Sequence, residues 1–230
     1  MEILFEDNHI IAINKRVAEI VQVDKTKDKS LEVTIKEYLK SKYNKPGEAY
    51  LGVVHRIDRP VSGVVLFAKT TKALVRLNEM FQEKLAEKIY WAIVKDMPKE
   101  TSGTLIHYIL RNTKTNKSYC YDKETPGSKR AVLHYRPLAS SENYHLLEII
   151  LETGRHHQIR CQLAAIGCPV KGDLKYGFPR SNPDAGISLH SRKISFIHPV
   201  RDEKISIEAP VPAGDKLWKF FEEKASVAGE

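Results

Sequence analysis

Two apolar runs open the chain, Ile3-Leu4-Phe5 and Ile10-Ile11-Ala12-Ile13, separated by the polar, turn-prone Glu6-Asp7-Asn8-His9. Short apolar runs bounded in this way predict a pair of strands. Ser30 then stands as an N-cap before Leu31, Ile35, Tyr38 and Leu39, whose spacing predicts a helix that ends before Pro46-Gly47. Val64-Val65-Leu66-Phe67-Ala68 is an unbroken apolar run of the kind a fully buried strand requires. Thr70 predicts the start of a second helix, with Leu74, Leu77, Phe81 and Leu85 on its inner face. In Lys88-Ile89-Tyr90-Trp91-Ala92-Ile93-Val94 a period of two separates Ile89, Trp91 and Ile93 from Tyr90 and Ala92.

Further strands are predicted over 104–110, 131–138 and 144–152, with polar Lys, Asn, Thr and Gly segments between them. A compact helix over 156–166 ends at Gly167 with Pro169 just beyond. Strands over 193–197 and 204–208 precede Pro210-Val211-Pro212 and a last helix with Leu217, Phe220 and Phe221 inward. No internal repeat or low-complexity linker interrupts the series. The fold class expected is α+β, a mixed, largely antiparallel central sheet flanked by helices and loops, rather than a regular βαβ alternation.

Composition narrows the picture. The 230 residues are 42% hydrophobic, enough for one substantial core, and one domain over 1–230 is the expected organisation. Lys and Arg number 37 against 29 Asp and Glu, a formal charge of +8. That excess favours a polyanionic partner, because a basic surface attracts phosphates before specific contacts form. Three cysteines without a framework spacing, and an amino terminus without a basic-then-apolar leader, point to a reducing cytoplasmic setting. The apolar runs are too short to span a bilayer, so no membrane association is expected.

Two polar clusters stand out as candidate chemistry. His55-Arg56-Ile57-Asp58-Arg59-Pro60-Val61-Ser62-Gly63 is rich in turn formers and lies immediately before the buried run. Approach of Arg56 and Arg59 to Asp58 would favour its ionised form, a potential nucleophile. The alternative is an ion pair or an Asx turn ahead of Pro60. Thr153-Gly154-Arg155-His156-His157-Gln158-Ile159-Arg160 opens the helix over 156–166, with Arg160 one turn after His156. A solvated basic helix face is the competing account of this cluster. The His156-His157 pair lacks HExxH spacing, Cys161 and Cys168 form no CxxC pair, and the P-loop, GxGxxG and GxSxG signatures are missing. No metal and no cofactor are expected. Tyr90, Cys161 and Cys168 read in isolation as core residues.

Together these segments resemble the RluA-type RNA pseudouridine synthases. HRIDRPVSG at 55–63 is similar to the family's HRLDxxTSG, and EKIYWAIV at 87–94 is similar to its KxYxAxV strand. LETGRHHQIRCQLAAIGCPVKGDLKYG at 151–177 resembles TGRTHQIRxHLxxxGxPIxGDxxYG, with His156 where threonine or serine is common. SLHSRKISFIHPV at 188–200 resembles the segment LHAxxLxFxHP, so the likeness covers nearly the whole chain. One departure lies at Asn14-Lys15-Arg16-Val17-Ala18, where the family often has NKPAG and this chain has neither proline nor glycine.

The resemblance implies the pseudouridine synthase fold and conversion of uridine to pseudouridine in ribosomal or transfer RNA, by flipping the base out of its stack. It implies Asp58 as the catalytic carboxylate, Tyr90 as the stacking tyrosine, and Arg160 as the partner of Asp58. Arg56, His55 and Arg155 would contact RNA, and Ile159 would line the pocket. The expected partner is a structured RNA stem-loop, bound by a monomer that carries no small RNA-binding domain ahead of the catalytic one. Two other readings remain at this point: a non-catalytic RNA-binding or chaperone module, and a metal-dependent hydrolase using His156, His157, His190 and His198.

Overall fold

The computed structural model describes residues 1–23 and 28–227. Chain order begins with β1 (Glu2–Glu6), β2 (Ile10–Lys15), α1 (Leu31–Lys42), β3 (Gly52–Val53), β4 (Ser62–Ala68) and α2 (Thr71–Gln82). It continues with β5 (Glu87–Val94), β6 (Gly103–Asn112), β7 (Lys117–Tyr121), β8 (Lys129–Ser140) and β9 (His145–Leu151). After α3 (Gln158–Ala165), β10 (Leu189–Ile197), β11 (Lys204–Glu208) and α4 (Lys216–Val227) complete the series.

All the strands join one sheet in the order β1-β2-β4-β10-β5-β9-β8-β6-β7, with β11 also on β10 and β3 also on β4. Only β4 and β10 run parallel, and the remaining pairings are antiparallel. The architecture is thus the mixed, largely antiparallel α+β arrangement expected from the pattern. Alternation decides which side each residue serves. In β2, Ile11 and Ile13 enter the core shared with α1 and α3, while Ile10 and Ala12 enter the one shared with α2 and β11. In β5, Tyr90 and Ala92 join the first core, and Trp91 and Ile93 face α4. The continuous run of β4 is buried on both faces, as an unalternating strand at the sheet centre should be.

The caps follow the local chemistry. Ser30 Oγ accepts from Val33 N at 3.4 Å and Thr70 Oγ1 from Ala73 N at 3.2 Å. Four expectations need correction. The segment 117–121 is a strand, which its polar Lys-Ser-Tyr-Cys-Tyr composition concealed. Helix α3 begins at Gln158, because His157 adopts a left-handed φ of 51° and His156 lies in the turn before it. Leu85 falls beyond the end of α2 and is exposed, so Ala73 and Leu77 carry the buried stripe. In α4, Trp218 is buried with Phe221, while Leu217 and Phe220 are only partly covered. Among the described residues, no helix is long and apolar enough to cross a membrane.

Candidate active site

The Asp58 loop connects β3 to β4 and is held by its backbone. Val61 N–H donates to the Asp58 carbonyl at 3.0 Å, closing a tight turn over Arg59-Pro60. Lys15, at the end of β2 and 0% exposed, donates to the carbonyls of Val61 at 2.6 Å, Arg16 at 2.9 Å and Arg59 at 3.1 Å. Its three N–H bonds are matched by three acceptors. Burial pushes the Lys15 ammonium down to about 8. Ala18 N–H also donates to Arg59 O at 3.1 Å, and Ile187 N–H to Pro60 O at 3.0 Å. Ala18 takes a φ of 69°, so this loop reaches a left-handed turn with alanine where glycine would relieve the strain.

The Asp58 side chain points toward α3. Arg160 Nη1 donates to Asp58 Oδ2 at 2.9 Å, while its Nε and Nη2 form a fork on Asp173 at 2.6 and 2.9 Å. Arg160 is 5% exposed and Asp173 1%, so both are desolvated. Burial works against the Arg160 charge, but Asp173 and then Asp58 outweigh it and raise the guanidinium above its ordinary value. Tyr176 lies under that guanidinium, 5.0 Å from its carbon to the ring centroid.

Tyr176 starts a second chain of contacts. Its hydroxyl accepts Ser118 N–H at 2.8 Å and meets His157 Nδ1 at 2.9 Å. Having accepted from Ser118, the hydroxyl has its own proton for Nδ1, which leaves His157 Nε2–H facing Asp58 Oδ2 at 3.5 Å. Burial, reinforced by Arg160 and His156, pushes the His157 imidazole down to about 3 against the pull of Asp58. His157 is therefore neutral, and Arg160 is the charged partner of Asp58.

Beneath Asp58 is a small chamber of about 100 Å³, walled by Val61, Tyr90, Leu151, Ile159 and Leu189. It opens into a cleft of about 1020 Å³ whose rim carries Arg56, Lys84, Lys88, Arg111, Arg155 and Lys175. Tyr90 stands opposite Ser191 on the neighbouring β10, and burial together with the Asp58 charge pushes its phenol up to about 12. The tyrosine is neutral throughout the physiological range. A carboxylate with one fixed cation, at the mouth of a mainly apolar chamber inside a basic cleft, can stabilise developing positive charge on a bound group.

A family model for RNA pseudouridylate synthase matches residues 9–165. An RNA pseudouridine synthase of Synechocystis is 35% identical over 228 residues, covering 97% of this chain and 70% of that protein. The chain belongs to the RNA pseudouridylate synthase family. Ribosomal large subunit pseudouridine synthase C of Rickettsia bellii is 32% identical, over 92% of this chain and 68% of that protein. Human RNA pseudouridylate synthase domain containing 4 shares the fold at a TM-score of 0.79 with 21% identity, covering 98% of this chain and 93% of that one. The chain is accordingly an RNA pseudouridine synthase, an isomerase.

Within this synthase the expected site residues fall into two groups. Asp58, Tyr90, Ile159 and Arg160 surround the chamber, and Arg56 and Arg155 stand exposed on the cleft. Arg155 Nε donates to Arg130 O at 3.0 Å, which fixes its direction along the rim. His55 borders the cleft, but its Nε2 accepts Leu66 N–H at 3.0 Å and its ring stacks on Phe81 at 5.2 Å. Burial pushes its imidazole down to about 4, so His55 is a neutral brace for β4. The sequence neighbours of Asp58 do not supply its counter-charge: Arg59 pairs with Asp28 at 2.8 Å, and Arg56 has no ion pair among the described residues. Among the described residues the Asp58 side chain accepts from Arg160 and from no backbone N–H, so it makes an ion pair and not an Asx turn. Nor is the second cluster a solvated basic face, since Arg160 is buried.

The sequence offers His157 only within the basic cluster and as a ligand of the hydrolase alternative, and gives Asp173 and Tyr176 no role, although all three lie in motif segments. The alternation of Gly-Asp and Tyr-Gly around the short 3-10 turn Leu174–Tyr176 was the available signal. Lys15 was legible only as part of an altered loop.

Proposed function

We propose that this synthase isomerises a uridine in a structured RNA, with ribosomal RNA the favoured substrate, using Asp58 as its catalytic carboxylate. The observation that carries the reading is the Asp58–Arg160 pair at the mouth of the Tyr90–Ile159 chamber. Relatives named for the ribosomal large subunit support ribosomal RNA over transfer RNA. The basic rim would attract RNA phosphates, with Arg56, His55 and Arg155 bordering its path. The target base leaves its stack and enters the chamber, at a cost of a few kcal/mol that phosphate contacts offset.

In the reaction the N1–C1′ bond breaks, the uracil turns, and C5 forms the new bond to C1′. C5 loses its proton and N1 gains one, so no atom is added overall. Asp58 supplies the anion at C1′, where the sugar becomes electron-poor, and Arg160 keeps that anion aimed. Tyr90 offers its ring to the flipped base, and its phenol, held up at about 12, stays a proton donor. Ile159 closes the apolar wall. The chemistry calls for neither a metal nor a redox cofactor. The catalytic unit in this reading is a single domain over residues 1–230, working as a monomer in the cytoplasm.

Purified protein incubated with ribosomal RNA and mapped for pseudouridine tests this reading. Asp58→Ala is expected to lower turnover on the order of a thousand-fold or more while RNA affinity stays within a few-fold, since one carboxylate adds nothing to phosphate attraction. Near-normal turnover by Asp58→Ala would remove the assignment.

A further inference from the structure

Cys120 on β7 and Cys161 on α3 are free thiols whose sulfurs lie 2.7 Å apart. They are 41 positions apart in sequence, and neither takes part in the isomerisation described above. β7 ends the strand order, and α3 carries Ile159 and Arg160 into the chamber wall. Ser118, two residues before Cys120, contacts both His156 and Tyr176. Cys161 Sγ in turn reaches the Ser118 carbonyl oxygen at 3.4 Å, so the sulfur pair adjoins the strand that braces His156 and Tyr176.

We propose that Cys120 and Cys161 form an oxidisable dithiol, which a small hydroperoxide converts to a disulfide joining β7 to α3. The two thiols face each other, and Lys117 adds positive charge near the pair. In the first step the thiolate of one cysteine attacks a peroxide oxygen, the O–O bond breaks, an alcohol or water leaves, and a sulfenic acid forms. The thiol of the other cysteine then attacks that sulfur, the S–S bond forms, the S–O bond breaks, and its proton leaves with the hydroxyl as water. One hydroperoxide thus accepts the two electrons that the thiols lose. The approach to Cys161 is narrow, at 4% exposure, which favours a peroxide over a bulky disulfide reagent. Cys168 makes its contact with Ile166 O instead and has no thiol partner among the described residues.

The test treats the folded, full-length protein with hydrogen peroxide, removes the oxidant, then denatures and alkylates without reductant. The expected product loses two of its three alkylatable thiols, and a linked peptide pair identifies Cys120 with Cys161. Dithiothreitol restores all three, Cys168→Ser still forms the link, and Cys120→Ser does not. Amide exchange over β7 and α3 slows on oxidation and recovers on reduction. Three free thiols after treatment, a link involving Cys168, or progression to sulfinic acid without a link would each overturn the proposal. The outcome is independent of which RNA is modified, so a failure here leaves the role of Asp58 untouched.

Discussion

Arg160 binds two carboxylates in different ways, and the difference assigns their tasks. The fork on buried Asp173 fixes the plane of the guanidinium, and the single bond to Asp58 leaves the second oxygen of that carboxylate unclaimed by Arg160, as the proposed attack at the sugar requires. Asp173→Asn is expected to lower kcat by about a hundred-fold with KM nearly unchanged, because the arginine loses its aim before the RNA loses any contact. It should also lower stability by roughly 3 kcal/mol, the usual consequence of unpairing a buried charge. Steady-state kinetics and urea unfolding check both, and a change confined to KM would contradict the positioning role. Asp58, Tyr90 and Arg160 stand out in the sequence as candidates because each sits in a recognisable motif. The true counter-ion of Asp58 was legible only through that resemblance, since local charge pointed to Arg56 and Arg59, whereas Arg160 arrives from 102 positions away.

Strands and loops aim the residues that the motifs supply. β4 and β10 lie so close that a Cβ on Gly63 would come 2.2 Å from the Ser191 carbonyl oxygen, and the residue holds a φ of 111°. Only glycine fits there. Gly63 is also where the Asp58 loop enters the sheet. Lys15 performs the matching task on the other side by gathering three carbonyls of the same region. Lys15→Met would take the lysine donor from the buried Val61 carbonyl oxygen, at a cost of about 1–3 kcal/mol. The expected result is a loss of activity at least ten-fold with RNA affinity retained, together with a lower melting temperature. Unchanged kinetics would show that the loop holds its shape without the lysine. Most elements were readable from apolar runs, turn formers and caps, with β11 matching the expected 204–208. β7 was not readable, because a short edge strand buries Ser118 and partly buries Cys120 while showing Tyr119 and Tyr121 to solvent. Its apolar and polar positions are reversed from the usual pattern.

Across the whole molecule, buried neutral imidazoles make stability depend on pH. His55 and His190 are pushed down to about 4 and His157 to about 3, in each case by burial above all, from an ordinary value of 6.5. Below 6.5 the unfolded chain binds protons that the folded chain refuses, so stability falls as pH drops from about 6.5 toward about 4. Each fully titrating group contributes about 1.4 kcal/mol per pH unit to that slope. Urea midpoints at neutral pH and at about pH 5 should differ clearly, and a flat profile would show that the imidazoles are not shielded. The same sheet that buries these rings brings the Asp58 loop, Tyr90 and α3 to one chamber, although 102 residues separate Asp58 from Arg160. Fold class was therefore readable from pattern, and the assembly of the site was readable only through likeness to proteins that share the order of motifs.

The central claim is that Asp58 in this chamber makes pseudouridine. The most direct measurement maps pseudouridine at single-nucleotide resolution across total RNA from cells with the gene, without it, and without it but carrying the Asp58→Ala protein. Defined sites in ribosomal RNA should vanish on deletion and stay absent with the variant. Sites restored by Asp58→Ala, or a map unchanged by deletion, would contradict the account.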